Sequence, residues 1–432
     1  MLKAIKIRLY PNKNQEVYIN KLLGCYRFMY NKCLELKKNK YTEENISLGL
    51  KDLGKHFHQN LTKNNDYIFL KEHNTKVLKQ AIINLLDSYK NFFINGTGFP
   101  KFKSKKDNKH SCRFPAESVS KKNNYLSGKL TLTSQIKDIK FKCSDNYKNY
   151  LDKYKNNIRS ATLTKTASGN YFLSVLVDGN IEKQLPKPIN EIVGIDLGIK
   201  DFVISSEGAV YENLKTQRAN EKQLIKLQKQ LSKKVIGSRN RNKARKKLAK
   251  KYDKINNKKE KYLHFVANQL LNDNQIIVLE DLNVKGMLKN HCLSKSIQEL
   301  SLNRFKNILS YKSAWYDRNL IEVDRWFPSS KLCNCCGYKK KDLKLNDRVW
   351  VCPNCGVVHD RDFNAAINIR EEGKRIFNSK ITDFQSKKDF QVGNRFAEFT
   401  LVDSPTMDDP IRNGLLKSSE SVKQEEIFLT NL

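Results

Sequence analysis

Two Cys-x-x-Cys pairs late in the chain limit its fold more than any other feature. Cys333 and Cys336 form one pair, Cys352 and Cys355 the other, and residues 337–351 separate them. That spacing is the signature of a zinc ribbon, in which two tight turns each present two thiolates to one tetrahedral ion. Gly337 and Gly356 directly follow the second cysteine of each pair, where such a knuckle needs a positive φ. Four protein ligands leave zinc no open position, so the ion is expected to be structural and not catalytic. Cys335 is a spare thiol beside Cys336, which leaves the choice of ligand open at that knuckle. Other cysteines, such as Cys25, Cys33, Cys112 and Cys143, lie scattered. They read as thiols in a reducing cytosol, not as a disulfide framework.

Charge narrows the class of partner. Lys and Arg total 81 against 45 Asp and Glu, a formal net charge of +36, far beyond the magnitude of about 2–8 that solubility asks for. The excess is spread along the chain, which suits a long or folded polyanion better than one small phosphate ligand. The bland alternative is a solvated, lysine-rich surface set by codon bias. No apolar run reaches the roughly 18 residues that span a bilayer. The opening Met-Leu-Lys-Ala-Ile-Lys-Ile-Arg alternates charge and lacks the apolar segment of a signal peptide. The expected location is therefore cytoplasmic, on the nucleoid, with no membrane partner.

Patterning gives a first map. Lys3 to Tyr10 alternate as a strand. After Pro11-Asn12 a helix is expected to about Leu36, with Val17, Leu22, Leu23, Tyr26, Met29 and Cys33 inward. A second helix follows Asn74-Thr75, with Val77, Leu78, Ala81, Ile82, Leu85, Leu86 and Tyr89 on one face. Asn95-Gly96 ends it. Phe99-Pro100-Lys101-Phe102-Lys103 interleaves aromatics with lysines, which suits base stacking with phosphate contact and equally suits an edge strand. Strands at 125–133, 137–143, 160–167 and 170–178 then suggest a small barrel or sandwich into which the helices are inserted. Pro186-Lys187-Pro188 marks a linker. Residues 191–207 read as a hairpin and 214–271 as a helical hairpin broken at Gly237-Ser238. The second arm of that hairpin carries Arg239, Arg241, Lys243, Arg245, Lys246, Lys247, Lys250 and Lys251, a face suited to tracking a phosphate backbone. Gln275 to Glu280 form a buried strand of parallel type. A helix near 296–318, a strand at Leu320–Val323 and a helix beginning at Asn364–Arg370 complete the map. After about Lys380 the composition turns mixed and weakly acidic and reads as a mobile tail whose deletion leaves activity intact.

Three acids stand out against this map. Asp196 ends an apolar strand, with Gly198 leaving room for a phosphate, although Asp-Leu-Gly-Ile-Lys alone also fits the phosphate loop of actin-like kinases. Glu280 ends the second buried strand, and Asp360-Arg361-Asp362 opens a helix. Each alone is most simply a cap or a surface charge. In this order they match an RNase H-like nuclease, whose carboxylates hold two Mg²⁺ ions, hard cations that prefer oxygen ligands.

Five motifs together closely resemble the TnpB family of transposon-encoded, RNA-guided DNA endonucleases, which are related to miniature type V CRISPR nucleases. They are Gly194-Ile-Asp-Leu-Gly198, Leu279-Glu-Asp-Leu-Asn283, Ser329-Ser-Lys-Leu-Cys-Asn-Cys-Cys-Gly337, Cys352-Pro-Asn-Cys-Gly356 and Asp360-Arg-Asp-Phe-Asn-Ala-Ala-Ile-Asn368. The resemblance implies a multidomain α+β chain. A wedge β-barrel would occupy 1–12 and 98–185, with a helical recognition unit inserted at 13–97. An RNase H-like RuvC nuclease domain would occupy 190–326 and 359–380, interrupted by the zinc ribbon at 327–358, with the tail at 381–432. It implies Asp196, Glu280 and Asp362 as catalytic, magnesium-binding carboxylates, with Asp360 two residues away as the competing third acid. Zinc would sit on Cys333, Cys336, Cys352 and Cys355. A guide RNA from the transposon end and target double-stranded DNA would be the partners, with no protein oligomer required. Reading of a short motif beside the target would fall to the protein, and the remaining sequence to pairing with the guide.

Three rival readings differ in function. A cleavage-deficient RNA-guided regulator should have lost acids from the triad, and a DNA-strand transposase would use the same acids to join ends. A plain zinc-ribbon nucleic-acid-binding protein leaves the Asp–Glu–Asp order unexplained.

Overall fold

Alternation in the first ten residues becomes strand β1 (Leu2–Tyr10), with Ile5, Ile7 and Leu9 buried and Lys6 and Arg8 exposed. The computed structural model describes residues 2–61, 63–107, 109–119, 123–179, 190–344 and 346–386. The chain divides into two compact units, Met1–Asn180 and Ile181–Leu432.

In the first unit, helix α1 (Lys13–Glu44) is opened by a capping box between Asn12 and Gln15. It runs eight residues past the expected end at Leu36, because nothing in 37–44 breaks it until Asn45 takes the left-handed conformation at φ 56°. Val17, expected inward, is 58% exposed; it lies on the far side of the stripe set by Ile19, Leu22, Leu23 and Tyr26. Helices α2 (Leu50–His56) and α3 (Thr75–Asn95) follow. Asn74 caps α3, Gly96 ends it at φ 61°, and all of the expected stripe is buried except the half-buried Leu86.

The helices interrupt an antiparallel six-stranded sheet. Its other members are β2 (His110–Pro115), β3 (Lys129–Leu130), β4 (Ile139–Lys142), β5 (Ile158–Lys165) and β6 (Tyr171–Asp178). The order is β2-β5-β6-β1-β4-β3, so β1 sits inside a sheet whose remaining strands all follow the helices. One apolar core joins the two layers. Four details depart from expectation. Strand β2 was not foreseen, and residues 125–133 form a 3₁₀ turn (Tyr125–Ser127) and only the two-residue β3. Helix α4 (Asp145–Lys153) lies between β4 and β5. Residues Phe99–Lys103 form no strand.

In the second unit, β7 (Asn190–Asp196), β8 (Asp201–Ser205) and β9 (Val210–Glu212) form an antiparallel meander. Strands β10 (Asn274–Glu280) and β11 (Asn319–Val323) add to β7 in parallel, giving the order β11-β10-β7-β8-β9. Between β9 and β10 lie α5 (Thr216–Ala219), α6 (Glu221–Ser232) and the long α7 (Arg239–Asp273). Gly237, at φ 83°, turns α6 into α7, and Leu224, Leu227 and Leu231 pack on Leu248, Tyr252 and Ile255. Between β10 and β11 come α8 (Val284–Met287), α9 (His291–Leu300) and α10 (Leu302–Tyr316). The one helix expected at 296–318 is thus two, divided at Ser301 with φ 54°.

The ribbon contributes β12 (Val349–Val351) and β13 (Val358–Asp360), an antiparallel pair. Helix α11 (Arg361–Ser386) begins three residues before Asn364 and extends past 380. Val193, Ile195, Ile277 and Leu279 face α7 and α10. Ile276, Val278, Ile321 and Val323 face Ile369 of α11. The linker at Pro186-Lys187-Pro188 and the tail beyond Ser386 lie outside the described residues. Among the described residues no helix is long and apolar enough to cross a membrane.

Candidate active site and zinc ribbon

Strand register brings the first two acids together. Leu279 of β10 is the partner of Ile195 of β7. Glu280 and Asp196 therefore end adjacent parallel strands, about 4.8 Å apart, on one face. The third element arrives by close packing. A Cβ on Gly194 would lie 2.2 Å from the Ala366 carbonyl and 2.5 Å from the Arg370 nitrogen, and one on Gly373 would lie 2.4 Å from Val278 Cγ2. Helix α11 therefore rests against β7 and β10 where only glycine fits, and its first turn carries Asp362 to the strand ends.

Electrostatics record this convergence. The Asp196 carboxyl is pushed up to about 7, first by burial and then by the negative charges of Glu280 and Asp362, against weaker help from the Leu197 amide and Arg361. Burial also raises Glu280, and a hydrogen bond from the Ser329 hydroxyl opposes that shift. Mutually repelling, half-buried carboxylates form a donor set that suits a hard divalent cation.

Asp360 and Asp362 do different work. Asp360 Oδ1 accepts the backbone N–H groups of Asp362 (3.1 Å) and Phe363 (2.9 Å), as an N-cap does. Asp362 is the one whose charge acts on Asp196. Its carboxylate is held by Arg348 Nη1, at 2.9 and 3.2 Å. Among the described residues, the one group of ligand atoms gathered within 4.8 Å of one another is the cysteine cluster, so the three acids neighbour one another without closing on a single point.

Two asparagines fasten the ribbon to α11. Asn368 Nδ2 donates to the carbonyls of Ser329 (2.7 Å) and Leu332 (2.8 Å). Asn364 Nδ2 donates to Leu332 O (2.7 Å), and its Oδ1 accepts the Asn334 amide (3.1 Å). Both side chains are buried. Sequence reasoning did not assign roles to Ser329, Asn364, Asn368 or Arg348. Two asparagines four residues apart on an otherwise apolar helix face were the available signal for one pair; nothing marked Arg348.

The ribbon matches its expectation. The Sγ atoms of Cys333, Cys336, Cys352 and Cys355 lie within 4.8 Å of one another, with Cys333–Cys355 at 3.5 Å and Cys336–Cys352 at 3.6 Å. Bonds of about 2.3 Å to a tetrahedral zinc place sulfurs about 3.8 Å apart, so the four thiols fit the ion. Gly337 and Gly356 sit at φ 73° and 74°, and the two knuckles repeat the same backbone bonds, each 2.9 Å. Cys335 is exposed and outside the cluster, its Sγ on Asn334. His359, buried against Trp350, brings Nε2 to 3.1 Å from Cys333 Sγ, where an N–H can support a metal-bound thiolate.

Two basic features can meet nucleic acid. On α7, Arg239, Lys243, Arg245, Lys246, Lys247 and Lys250 are exposed. Arg241 instead caps carbonyls of Leu231 and Lys234, and Lys251 bonds Asn220. In the first unit, Phe99 and Phe102 are exposed beside Lys38.

Comparison with known proteins agrees with this architecture. A family model described as "Probable transposase" matches residues 174–291, and one described as "Cas12f1-like, TNB domain" matches 303–369. A "Helix-turn-helix domain" model matches 1–45, which here form β1 and α1. A Streptomyces pristinaespiralis protein, named as an RNA-guided DNA endonuclease, is 34% identical over 86% of this chain and 89% of its own. The chain belongs to the TnpB family. The Escherichia coli K12 relative InsQ, also named as an RNA-guided DNA endonuclease, is 25% identical over 87% of the TnpB chain and 93% of its own. Cas12f1, solved with guide RNA and target DNA, shares the fold with a TM-score of 0.53 at 14% identity, covering 86% of this chain and 98% of Cas12f1.

Proposed function

We propose that this TnpB chain is an RNA-guided endonuclease of a transposable element. It cuts target DNA at the carboxylate site formed by Asp196, Glu280 and Asp362. The observation that carries this reading is the placement of Asp196 and Glu280 at adjacent strand ends, with the charge of Asp362 acting on Asp196. The names of the full-length relatives support the same activity.

Asp196, Glu280 and Asp362 would hold Mg²⁺. Once bound, the metal would supply an activated water and neutralise charge on the scissile phosphate. Ser329 fixes the rotamer of Glu280, and Asp360 holds the first turn of α11 so that Asp362 faces Asp196. The four cysteines would hold zinc and keep the 329–334 segment, and with it Ser329, in place. Residues 190–326 and 359–380 then act as the RuvC nuclease and 327–358 as the ribbon. Residues 1–12 and 98–185, with the insertion at 13–97, are assigned to guide and target-flank recognition. A guide RNA from the transposon end and a double-stranded target account for the +36 charge, and no protein oligomer is required.

The test is co-purification from a host carrying the flanking transposon sequence, followed by sequencing of the bound RNA. The complex is then offered a matched plasmid library with randomised flanks and Mg²⁺, beside Asp196→Ala. A defined RNA with flank-dependent cutting, lost in the variant, is expected. Binding without cutting would make the protein a regulator. The absence of a specific RNA would return the reading to a transposase.

A further inference from the structure

The loop between β11 and the ribbon holds one side chain that no packing explains. Trp326 is 84% exposed, the most exposed large apolar side chain among the described residues. Among the described residues no aromatic ring or side-chain cation stacks on it. A tryptophan so placed leaves most of its apolar surface in water, which folding alone does not favour.

The backbone beneath it is firmly held. Asp324 Oδ1 accepts the Trp326 amide at 2.8 Å, and the Phe327 amide donates to the Asp324 carbonyl at 3.0 Å. Arg325 forms an ion pair with Asp281, which Lys306 also contacts at 3.2 Å. Phe327 packs into the core beneath α11. Ser329 bonds Glu280. The residues on both sides of the indole are therefore fastened to the consecutive acids Glu280 and Asp281, at the corner that ends β10.

We propose that Trp326 is a substrate-positioning residue that stacks on a nucleobase of the DNA strand lying across the carboxylate site. This rests on the nuclease reading given above. A strand whose phosphate reaches Glu280 must carry its bases past the adjoining loop, and an uncharged aromatic face holds bases, not phosphates. Stacking is also tolerant of sequence, because every base has a π-face. That tolerance suits an enzyme whose sequence choice is made by pairing with a guide. Rigid anchoring to Glu280 and Asp281 would fix the stacked nucleotide relative to the acids and so place its phosphate for attack.

Two measurements separate this inference from the reading beneath it. The first uses the full chain with its co-purified RNA and Asp196→Asn, titrated with single-stranded oligodeoxythymidine while indole fluorescence is followed. Trp315 and Trp350 also emit, so the same chain carrying Trp326→Phe gives the baseline. Quenching that depends on Trp326 is expected, and its absence would overturn the inference. The second measures cleavage of a matched target. Trp326→Ala should lower kcat about tenfold or more, with target binding and zinc content unchanged, and Trp326→Phe should recover most of the rate. An abasic nucleotide at one position near the cut should slow the wild type and slow Trp326→Ala no further. Additive losses at every abasic position, or unchanged cleavage by Trp326→Ala, would refute the stacking role. A wild type that cuts no matched target, yet shows the Trp326-dependent quench, would refute the nuclease reading and keep the contact with a DNA strand.

Discussion

Gly194 of β7 lies directly under the backbone of Ala366 in α11, with no room between them for a methyl group. This contact sets the depth of the helix on the sheet, and Gly373 against Val278 sets it again further along. Two residues beyond Gly194 comes Asp196, and four before Ala366 comes Asp362. The glycine thus controls how near two of the proposed catalytic acids stand, although it carries no chemistry itself.

Gly194→Ala should therefore destabilise the second unit by about 3 kcal/mol or more, since the obstruction is backbone and cannot rotate away. Gly54→Ala provides the contrast. Gly54 lies inside α2 with nothing within 4 Å of the point where an alanine methyl would stand, and the substitution should gain about 0.4–1 kcal/mol. Urea denaturation of both variants checks the pair. Equal stabilities would remove the argument that close packing positions α11.

Asn368→Ala should loosen the junction between ribbon and helix. The change strands the carbonyl of Ser329, while that of Leu332 keeps the hydrogen bond from Asn364. The expected cost is about 1–3 kcal/mol. Because Ser329 also bonds Glu280, cleavage should fall by more than the loss of folded protein. Activity normalised to the folded fraction, measured beside zinc content, distinguishes the two effects.

The legibility of the chain followed the range of the forces involved. Local periodicity revealed β1, the buried face of α3, the β7–β8 hairpin and the apolar β10, because each pattern is complete within one element. The cysteine spacing revealed the ribbon for the same reason. Helix ends were less legible: Asn45 and Ser301 adopt positive φ without being glycine, and although asparagine is a known left-handed cap, nothing in the sequence marks Ser301. Strand β2 was missed because its pairing with β5 is long-range. At the site, the order of the acids was readable. The division of labour between Asp360 and Asp362 needed hydrogen-bond geometry, and Arg348 reaches Asp362 only through the fold of the ribbon.

Metal content should separate the five thiols of the ribbon. Cys352→Ser removes one of the four gathered sulfurs and should lose zinc with destabilisation of residues 327–358. Cys335→Ser should retain the full complement, because Cys335 is exposed and outside the cluster. Metal analysis of both purified variants decides the matter. A full zinc complement in Cys352→Ser would contradict the ligand set. Chelation of the wild type should reproduce the Cys352→Ser phenotype.

Lys312 offers a pH-dependent test of packing between α7 and α10. Its side chain is buried, its Nζ donates to Asn268, and burial lowers its pKa from 10.5 to about 8. Below pH 8 the amine is charged in both folded and unfolded chains, and the folded state bears the full cost of burying it. Between about 8 and 10.5 the unfolded chain binds the extra proton, so stability rises with pH in that window. Lys312→Met should accordingly be more stable than the wild type by about 1–3 kcal/mol at pH 7, less whatever is lost by leaving Asn268 without its donor. That advantage should shrink as the pH approaches 9.5. Glu260 and Arg304 lie in the same interface and are common to both proteins, but the Lys312 charge also helps to lower His264, so both chains are compared with His264 replaced by Gln. Denaturation of the two at pH 7 and 9.5 measures the difference, and a stability difference that does not change with pH would show that Lys312 is not held in its buried position.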